Sequence, residues 1–179
     1  MTTILYRTLA AQLEVRDDDG RTLHGTLVPY GTQTRIGGYT ESFMLGAFAD
    51  ADPERVPLFA PHPDRDRPSL PIGRAVHLHE EEAGLIGAFR VSATPAGDAV
   101  LTLVRDGAVR GLSIGFIPLP GGDRWSQDRT RVERLRAHLA EVSVVPFPAY
   151  PDAQITAVRA TVGSATPRLR LARLLRRAA

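Results

Sequence analysis

The sequence predicts a mainly β fold, an antiparallel β-barrel or sandwich with a few helices. Along most of the chain, short apolar stretches alternate with turn signals rich in Gly, Pro and Asp, a pattern typical of antiparallel strands. Few stretches carry apolar residues at helical spacing. With 179 residues, 43% of them hydrophobic, the chain is long enough for one domain with its own core.

The predicted elements follow from the periodicity of the apolar residues and from the turn residues between them. Strands are predicted over 1–16, 23–30, 56–60, 72–78, 85–91, 113–118 and 131–145, a turn and short helix over 41–50, a helix over 95–110, and polar loops over 63–71 and 120–127.

Two of these strand pairs are predicted to be hairpins. Residues 9–30 alternate loosely on both sides of the turn signal Asp17-Asp18-Asp19-Gly20, and residues 72–91 surround a second, acidic turn. The segment 95–110 is predicted to be helical because Val100, Leu103 and Val104 follow helical spacing, and Thr94 can cap its first turn.

A candidate nucleophile lies in the segment Gly111-Leu112-Ser113-Ile114-Gly115-Phe116. The flanking glycines have no side chains, so they leave Ser113 approachable by a substrate backbone. A serine attacks well at neutral pH only if a base takes its proton, and histidine titrates in the range that this requires. His62 follows a short apolar strand and begins a proline-rich loop, where it can be held and still reach solvent.

A candidate acid lies in the strand predicted over 131–145. Alternation places Leu139, Glu141 and Ser143 on one face, and a glutamate among apolar residues is costly to bury unless a partner compensates its charge. A carboxylate behind a histidine fixes its tautomer, so Glu141, His62 and Ser113 form a predicted Ser-His-Glu triad. Asp64 and Asp66 compete for the role of acid, but a strand holds a side chain more rigidly than a loop does, which favours Glu141.

Other sites and folds fit the sequence less well. Gly111-x-Ser113-x-Gly115 matches the nucleophile elbow of α/β-hydrolases, but no helix follows the serine and the order of serine, acid and histidine is wrong for that fold. His77 and His79 share one face of a strand without a third ligand, so no metal and no cofactor are predicted. A net charge of +2 gives no indication of nucleic-acid binding, and no apolar run is long enough to span a membrane.

Several segments, in this order and spacing, resemble the prohead (procapsid) maturation proteases of tailed double-stranded DNA phages, which are related to the herpesvirus assemblins. The segments that carry the resemblance are Gly25–Gly31, Tyr39–Phe43 with Gly46–Phe48, Pro57–His62, Pro71–Arg74, Gly84-Leu85, Arg105–Gly107, Leu112–Phe116, and Leu139–Val145 with Pro148-Ala149. The resemblance covers the chain from about Leu23 to about Ala157.

The resemblance implies a herpesvirus-protease-like antiparallel β-barrel with flanking helices and a serine endopeptidase activity inside the immature capsid. The family's histidine and serine fall on His62 and Ser113, and Glu141 lies where the phage branch carries its acid. Around the histidine the family usually reads His-Asp or His-Asn, whereas this chain reads His62-Pro63-Asp64.

The expected substrates and partners are the major capsid protein with its scaffold segment, other procapsid proteins and the protease itself, with self-association as a dimer. The expected location is the interior of the phage procapsid in the bacterial cytoplasm. We expect a protease domain over 1–160 and a basic Arg/Leu-rich tail over 161–179. The alternative is a non-catalytic capsid assembly or scaffolding factor that retains the protease fold.

Overall fold

Strands account for most of the structure. A computed structural model describes residues 3–10, 13–16, 20–61 and 69–146. Within these residues the strands are β1 (Leu5–Ala10), β2 (Glu14–Arg16), β3 (Thr22–Pro29), β4 (Thr34–Ile36), β5 (Tyr39–Phe43), β6 (Pro57–Phe59), β7 (Gly73–Glu81), β8 (Gly84–Val91), β9 (Gly111–Pro118), β10 (Asp123–Trp125), β11 (Arg131–Arg134) and β12 (Ala137–Val145). The helical elements described are α1 (Pro95–Arg105) and a 3₁₀ turn (Pro53–Arg55).

The strands form two sheets. The larger has eight strands in the order β1-β9-β12-β6-β7-β8-β3-β2, and the smaller has the order β10-β11-β5-β4. Most neighbours are antiparallel, but β12 pairs with β6, and β11 with β5, in parallel. The large sheet is curled into a half-barrel, so the predicted mainly β fold with few helices is confirmed.

The concave core takes the apolar face of each central strand. Leu112, Ile114 and Phe116 of β9 are fully buried in it, as alternation in the sequence predicts. Other large side chains that expose no surface come from β3, β6 and β8, namely Leu23, Leu27, Leu58 and Phe89. Burial of such side chains contributes about 1.5–3 kcal/mol each, so the core holds the curled sheet together.

Several predicted elements are confirmed. The hairpin over residues 72–91 is the β7–β8 pair, and the strand before His62 is β6. The predicted helix is α1, and the Thr94 side chain accepts a hydrogen bond of 3.2 Å from the Gly97 amide as its N-cap. The helix ends at Arg105 rather than at residue 110.

Three predictions about elements are wrong. Residues 1–16 are not one strand, since β1 pairs with β9 at one end of the large sheet and β2 pairs with β3 at the other. Residues 41–50 form no helix; they begin inside β5 and continue as turns. Trp125 lies in β10 rather than in a loop, with its ring centroid 5.3 Å from that of Tyr39.

A buried carboxylate joins the two sheets. Glu41 of β5 accepts hydrogen bonds from Arg7 of β1 and from Arg134 of β11, the latter at 2.6–2.7 Å. Both guanidiniums also flank the Phe116 ring, at 5.5 and 5.7 Å from its centroid. Burial acts to lower the pKa of Arg134, but hydrogen bonds and charge from Asp123 and Glu41 outweigh it and raise the pKa. Arg134 is therefore charged at neutral pH and paired with both carboxylates.

Two further sequence predictions concern membrane spans and the C-terminal tail. Within the described residues, no helix is long and apolar enough to cross a bilayer. The tail predicted over 161–179, and the boundary before it, lie outside the described residues.

We expect Glu41→Gln to lower the free energy of unfolding by about 3 kcal/mol, because it leaves two largely buried arginines without their shared counter-charge. Urea unfolding followed by circular dichroism measures the change. Glu133→Gln is the matched control, since Glu133 pairs with the exposed Arg124 and we expect a loss of no more than about 1 kcal/mol. Equal losses in the two variants would contradict a joining role for Glu41.

Candidate active site

Three hydroxyl side chains lie in one row across adjacent strands. Thr8 of β1 and Ser143 of β12 are the register partners of Ser113 on either side of β9. Residues directly opposite each other in a sheet project to the same face, so the three side chains are neighbours. The Thr8 hydroxyl donates to Ser113 Oγ at 3.1 Å, and Ser113 and Ser143 are both fully buried.

A second row lies two residues along the same strands. It consists of Tyr6, Gly115 and Glu141, again in register across β1, β9 and β12. Glu141 is 97% buried, and the Ser143 hydroxyl donates to its Oε2 at 2.6 Å. The predicted nucleophile and the predicted acid are thus on neighbouring strands, on the face opposite the core.

Gly115 makes room for the carboxylate. A Cβ at this position would lie 2.6 Å from Glu141 Oε1, 2.9 Å from Glu141 Cγ and 3.1 Å from Tyr6 Cε1. Any side chain here would therefore collide with Glu141, which is itself held by Ser143. Gly115 is therefore required because Glu141 occupies the space that a side chain at this position would fill.

Leu139 and Glu141 lie on opposite faces of β12, whereas the sequence predicts that they share one. Alternation places Leu139 and Glu141 on one face, but a β-bulge between them adds one residue to β12. Leu139 is therefore opposite Phe116 and buried in the core, while Glu141 is opposite Gly115 on the other face.

The end of β6 lies next to these rows. Phe59 is the register partner of Ser143 on the side of β12 away from Ser113. The chain then passes through Ala60 and Pro61, joined by a cis peptide bond, toward His62. His62 itself, and the competing acids Asp64 and Asp66, lie outside the described residues.

Among the described histidines, the exposed His138 of β12 is the register partner of Ile117, which follows Gly115 on this face of β9, whereas His24 is on β3. His77 and His79 are on β7, with ring centroids 4.9 Å apart, and His79 Nε2 lies 2.7 Å from Glu81 Oε1. Within the described residues no cluster of three His, Cys, Asp or Glu side chains could hold a metal ion.

A cavity of about 240 Å³ opens beside β1. Tyr6, Thr8 and Glu41 line it together with apolar side chains that include Val28, Ile36 and Phe43. Thr8 is the member of the hydroxyl row that lines the cavity; Ser113 and Ser143 do not line it.

The sequence did not point to Thr8 or Tyr6 as residues of the site. Both lie in a stretch with only loose alternation, and no local motif marks them. Their place next to Ser113 and Gly115 depends on pairing between strands about a hundred residues apart, which local periodicity does not specify.

Comparison with known proteins places the chain in a family. The model of the family described as caudovirus prohead serine protease matches residues 11–167. The chain belongs to this family. A predicted serine protease of phage capsid maturation is thereby confirmed. No curated protein sequence matches the chain.

Among solved structures, the capsid assembly protease gp21 of bacteriophage T4 is similar in fold. The two superpose with a TM-score of 0.61 at 12% sequence identity, over 82% of this chain and 98% of the phage T4 chain. The curled sheet described above is therefore also found in a phage protease of distant sequence.

We expect Gly115→Ala to lower the free energy of unfolding by about 1–3 kcal/mol, because the new methyl group overlaps Glu141 and Tyr6. Gly38→Ala is the control, since a Cβ at Gly38 meets no atom within 4 Å. Urea unfolding measures both. Combining Gly115→Ala with Glu141→Ala removes the overlap with Glu141 and leaves only the longer contact with Tyr6, so the double variant should be more stable than the sum of the single losses predicts. Strict additivity would contradict the contact.

Proposed function

We propose that this chain is a serine endopeptidase in which Ser113 is the nucleophile, His62 the general base and Glu141 the acid that orients His62. The observation that carries the proposal is the buried Glu141 carboxylate, which shares one face of the sheet with Ser113 on the adjacent strand. The strand on the other side of β12 is β6, and His62 is three residues beyond its last residue, Phe59.

The proposed reaction is acyl transfer to serine and then to water. His62 takes the hydroxyl proton as Ser113 Oγ attacks a peptide carbonyl, and returns it to the leaving amine when the C–N bond breaks. A water molecule, deprotonated by His62, then attacks the acyl-enzyme and releases Ser113. Glu141 stabilises the imidazolium that forms in both steps.

The setting of Glu141 suits an orienting acid. Ser143 binds Oε2, and a carboxylate can accept further hydrogen bonds on each oxygen, so the same group can accept one from an imidazole N–H. A carboxylate on a paired strand is also held in a narrower range of positions than one on a loop. Both features favour Glu141 over Asp64 and Asp66 as the acid.

Substrate access requires some rearrangement. Ser113 exposes no surface in this structure, so side chains around it must move before a carbonyl can reach Oγ. Tyr6, at 41% exposure, stands over the neighbouring Gly115, and the cavity beside Tyr6 and Thr8 provides space for a substrate side chain.

We infer that the substrates are the scaffold segment of the major capsid protein, other procapsid proteins and the protease itself, cleaved inside the procapsid in the host cytoplasm. Membership of a prohead protease family and the fold shared with a capsid assembly protease support this inference. The proposal includes a dimer, a protease domain over 1–160 and a separate basic tail over 161–179.

One observation favours a second function. The complete burial of Ser113 is compatible with a capsid assembly factor that keeps the protease fold without cleaving anything. Such a factor would use the same partners, and replacement of Ser113 would leave its action unchanged.

The two functions are separated by intact-mass analysis after co-expression with the major capsid protein of the same phage. We expect Ser113→Ala to abolish cleavage of the capsid protein and of the protease, because it removes the nucleophile. Ser69→Ala is the control, since Ser69 is exposed and outside the described rows. Identical masses with native and Ser113→Ala protein, in capsids that still assemble, would favour the assembly factor.

The same assay tests the acid. We expect Glu141→Gln to slow cleavage on the order of 10²-fold or more, because the amide cannot stabilise the imidazolium although it fits the same space. Asp64→Asn and Asp66→Asn should cleave at near-native rates. If one of these aspartates rather than Glu141 proved essential, the acid would have to be reassigned to the loop.

A further inference from the structure

Thr8 contacts the nucleophile from the side opposite the proposed acid. It lies on β1, the first strand in the order of the large sheet, and its hydroxyl donates to Ser113 Oγ at 3.1 Å. β12, which carries Glu141, lies on the other side of β9. Ser113 is therefore between a hydroxyl donor on one strand and a carboxylate on the other.

Either of two hydroxyls in contact can be the donor, but in the proposed reaction Ser113 gives its proton to the base, so Thr8 is then the donor to Ser113 Oγ. A hydroxyl group has one proton to donate and two lone pairs that accept. When Thr8 donates to Ser113 Oγ, the proton of Ser113 has to point to some other acceptor. The remaining directions lead away from β1, toward β12 and the end of β6, where the proposed acid lies and from which the chain leads to His62.

We propose that Thr8 is a positioning residue for the reaction: it holds Ser113 Oγ in place and directs the serine proton toward the base. The inference rests on the proposed function of Ser113 as nucleophile. Thr8 does not exchange a proton with the substrate, and its hydrogen bond also lowers the cost of the negative charge that grows on Oγ as the proton leaves.

β1 is held firmly enough for this role. Arg7, the residue before Thr8, points to the other face and binds the buried Glu41 carboxylate, which Arg134 also binds. A shift of β1 along β9 would break this ion pair as well as the strand register. Thr8 is also β-branched, so its side chain has few rotamers to choose from.

The competing explanation is a purely structural one. Cross-strand Thr–Ser hydrogen bonds stabilise sheets by about 0.2–1 kcal/mol, and the contact between Thr8 and Ser113 would then contribute to folding alone. The test must therefore separate the reactivity of Ser113 from the stability of the sheet.

The experiment compares full-length variants Thr8→Val, Thr8→Ser and Thr26→Val. Valine keeps the branched shape and removes the hydroxyl, whereas serine keeps the hydroxyl. Thr26 is a half-buried threonine of β3 that does not line the cavity beside β1, so Thr26→Val controls for the loss of a hydroxyl from the sheet. Urea unfolding establishes that all three variants are folded.

The readout is the rate at which a fluorophosphonate labels Ser113, measured by intact mass over a range of pH. The probe forms a P–O bond to Oγ and releases fluoride, and the serine proton passes to the base, so the rate depends on that proton transfer without any capsid protein. We expect Thr8→Val to slow labelling about tenfold, the effect of losing about one hydrogen bond in the transition state. Thr8→Ser should regain most of the rate, and Thr26→Val should label at the native rate.

The outcomes separate this inference from the proposed function. If the native protein is labelled at Ser113 and Thr8→Val reacts as fast as Thr26→Val, the contact is structural and the inference is overturned while the nucleophile stands. If Thr8→Ser is as slow as Thr8→Val, the hydroxyl is not the cause, which also overturns it. If the native protein is not labelled and Ser113→Ala leaves capsid processing unchanged, both the inference and the proposed function fail.

Discussion

The β-bulge between Leu139 and Glu141 is the constraint on which the candidate site depends. An unbroken β12 would place both side chains on one face, so either a leucine would leave the core or a glutamate would enter it. The extra residue lets Leu139 pack opposite Phe116 and Glu141 lie opposite Gly115. From Glu141 onward β12 runs in register with β9 and presents Ser143 beside Ser113. This one bulge thus lets Leu139 pack in the core and places Glu141 and Ser143 beside Gly115 and Ser113.

The rows are completed by segments far apart in the chain. β1 contributes Thr8 from the N-terminal region, and β6 reaches the other side of β12 as a short parallel strand. Glu41 fixes β1 against the small sheet through Arg7 and Arg134, which makes the position of Thr8 a property of the whole fold. Burial of three charged groups in this way costs desolvation energy that only close pairing offsets, so we infer that the arrangement serves to fix the register of β1.

Elements that depend on residues close together in the sequence are predicted better than pairings between distant segments. The hairpin β7–β8 and the cap of α1 depend on residues a few positions apart, and both are predicted correctly. Ser113 and Glu141 are also predicted to act together, from their residue types and their places in strands as well as from the resemblance of the segments around them to a known family. The pairing of β2 with β3 falls within the hairpin predicted over residues 9–30, whereas the pairing of β1 with β9 could not be predicted, since it joins segments about a hundred residues apart. The strand at Tyr39–Phe43 was also missed: its parallel partner β11 lies about ninety residues later, and its local antiparallel partner β4 is only three residues long.

The glycines around Ser113 illustrate how one motif can arise from different physical requirements. In a nucleophile elbow, glycines permit a strained turn between a strand and a helix. Here β9 continues as a strand from Gly111 to Pro118, and no turn occurs at Ser113. Gly115 is needed because the Glu141 carboxylate and the Tyr6 ring occupy the space of its missing side chain. An approachable backbone for the substrate is therefore not the reason for this glycine. In this chain the motif lies where Glu141 of the neighbouring strand β12 packs beside Gly115 and Ser113. The motif alone does not contain β12, so its role here can be recognised only together with that strand.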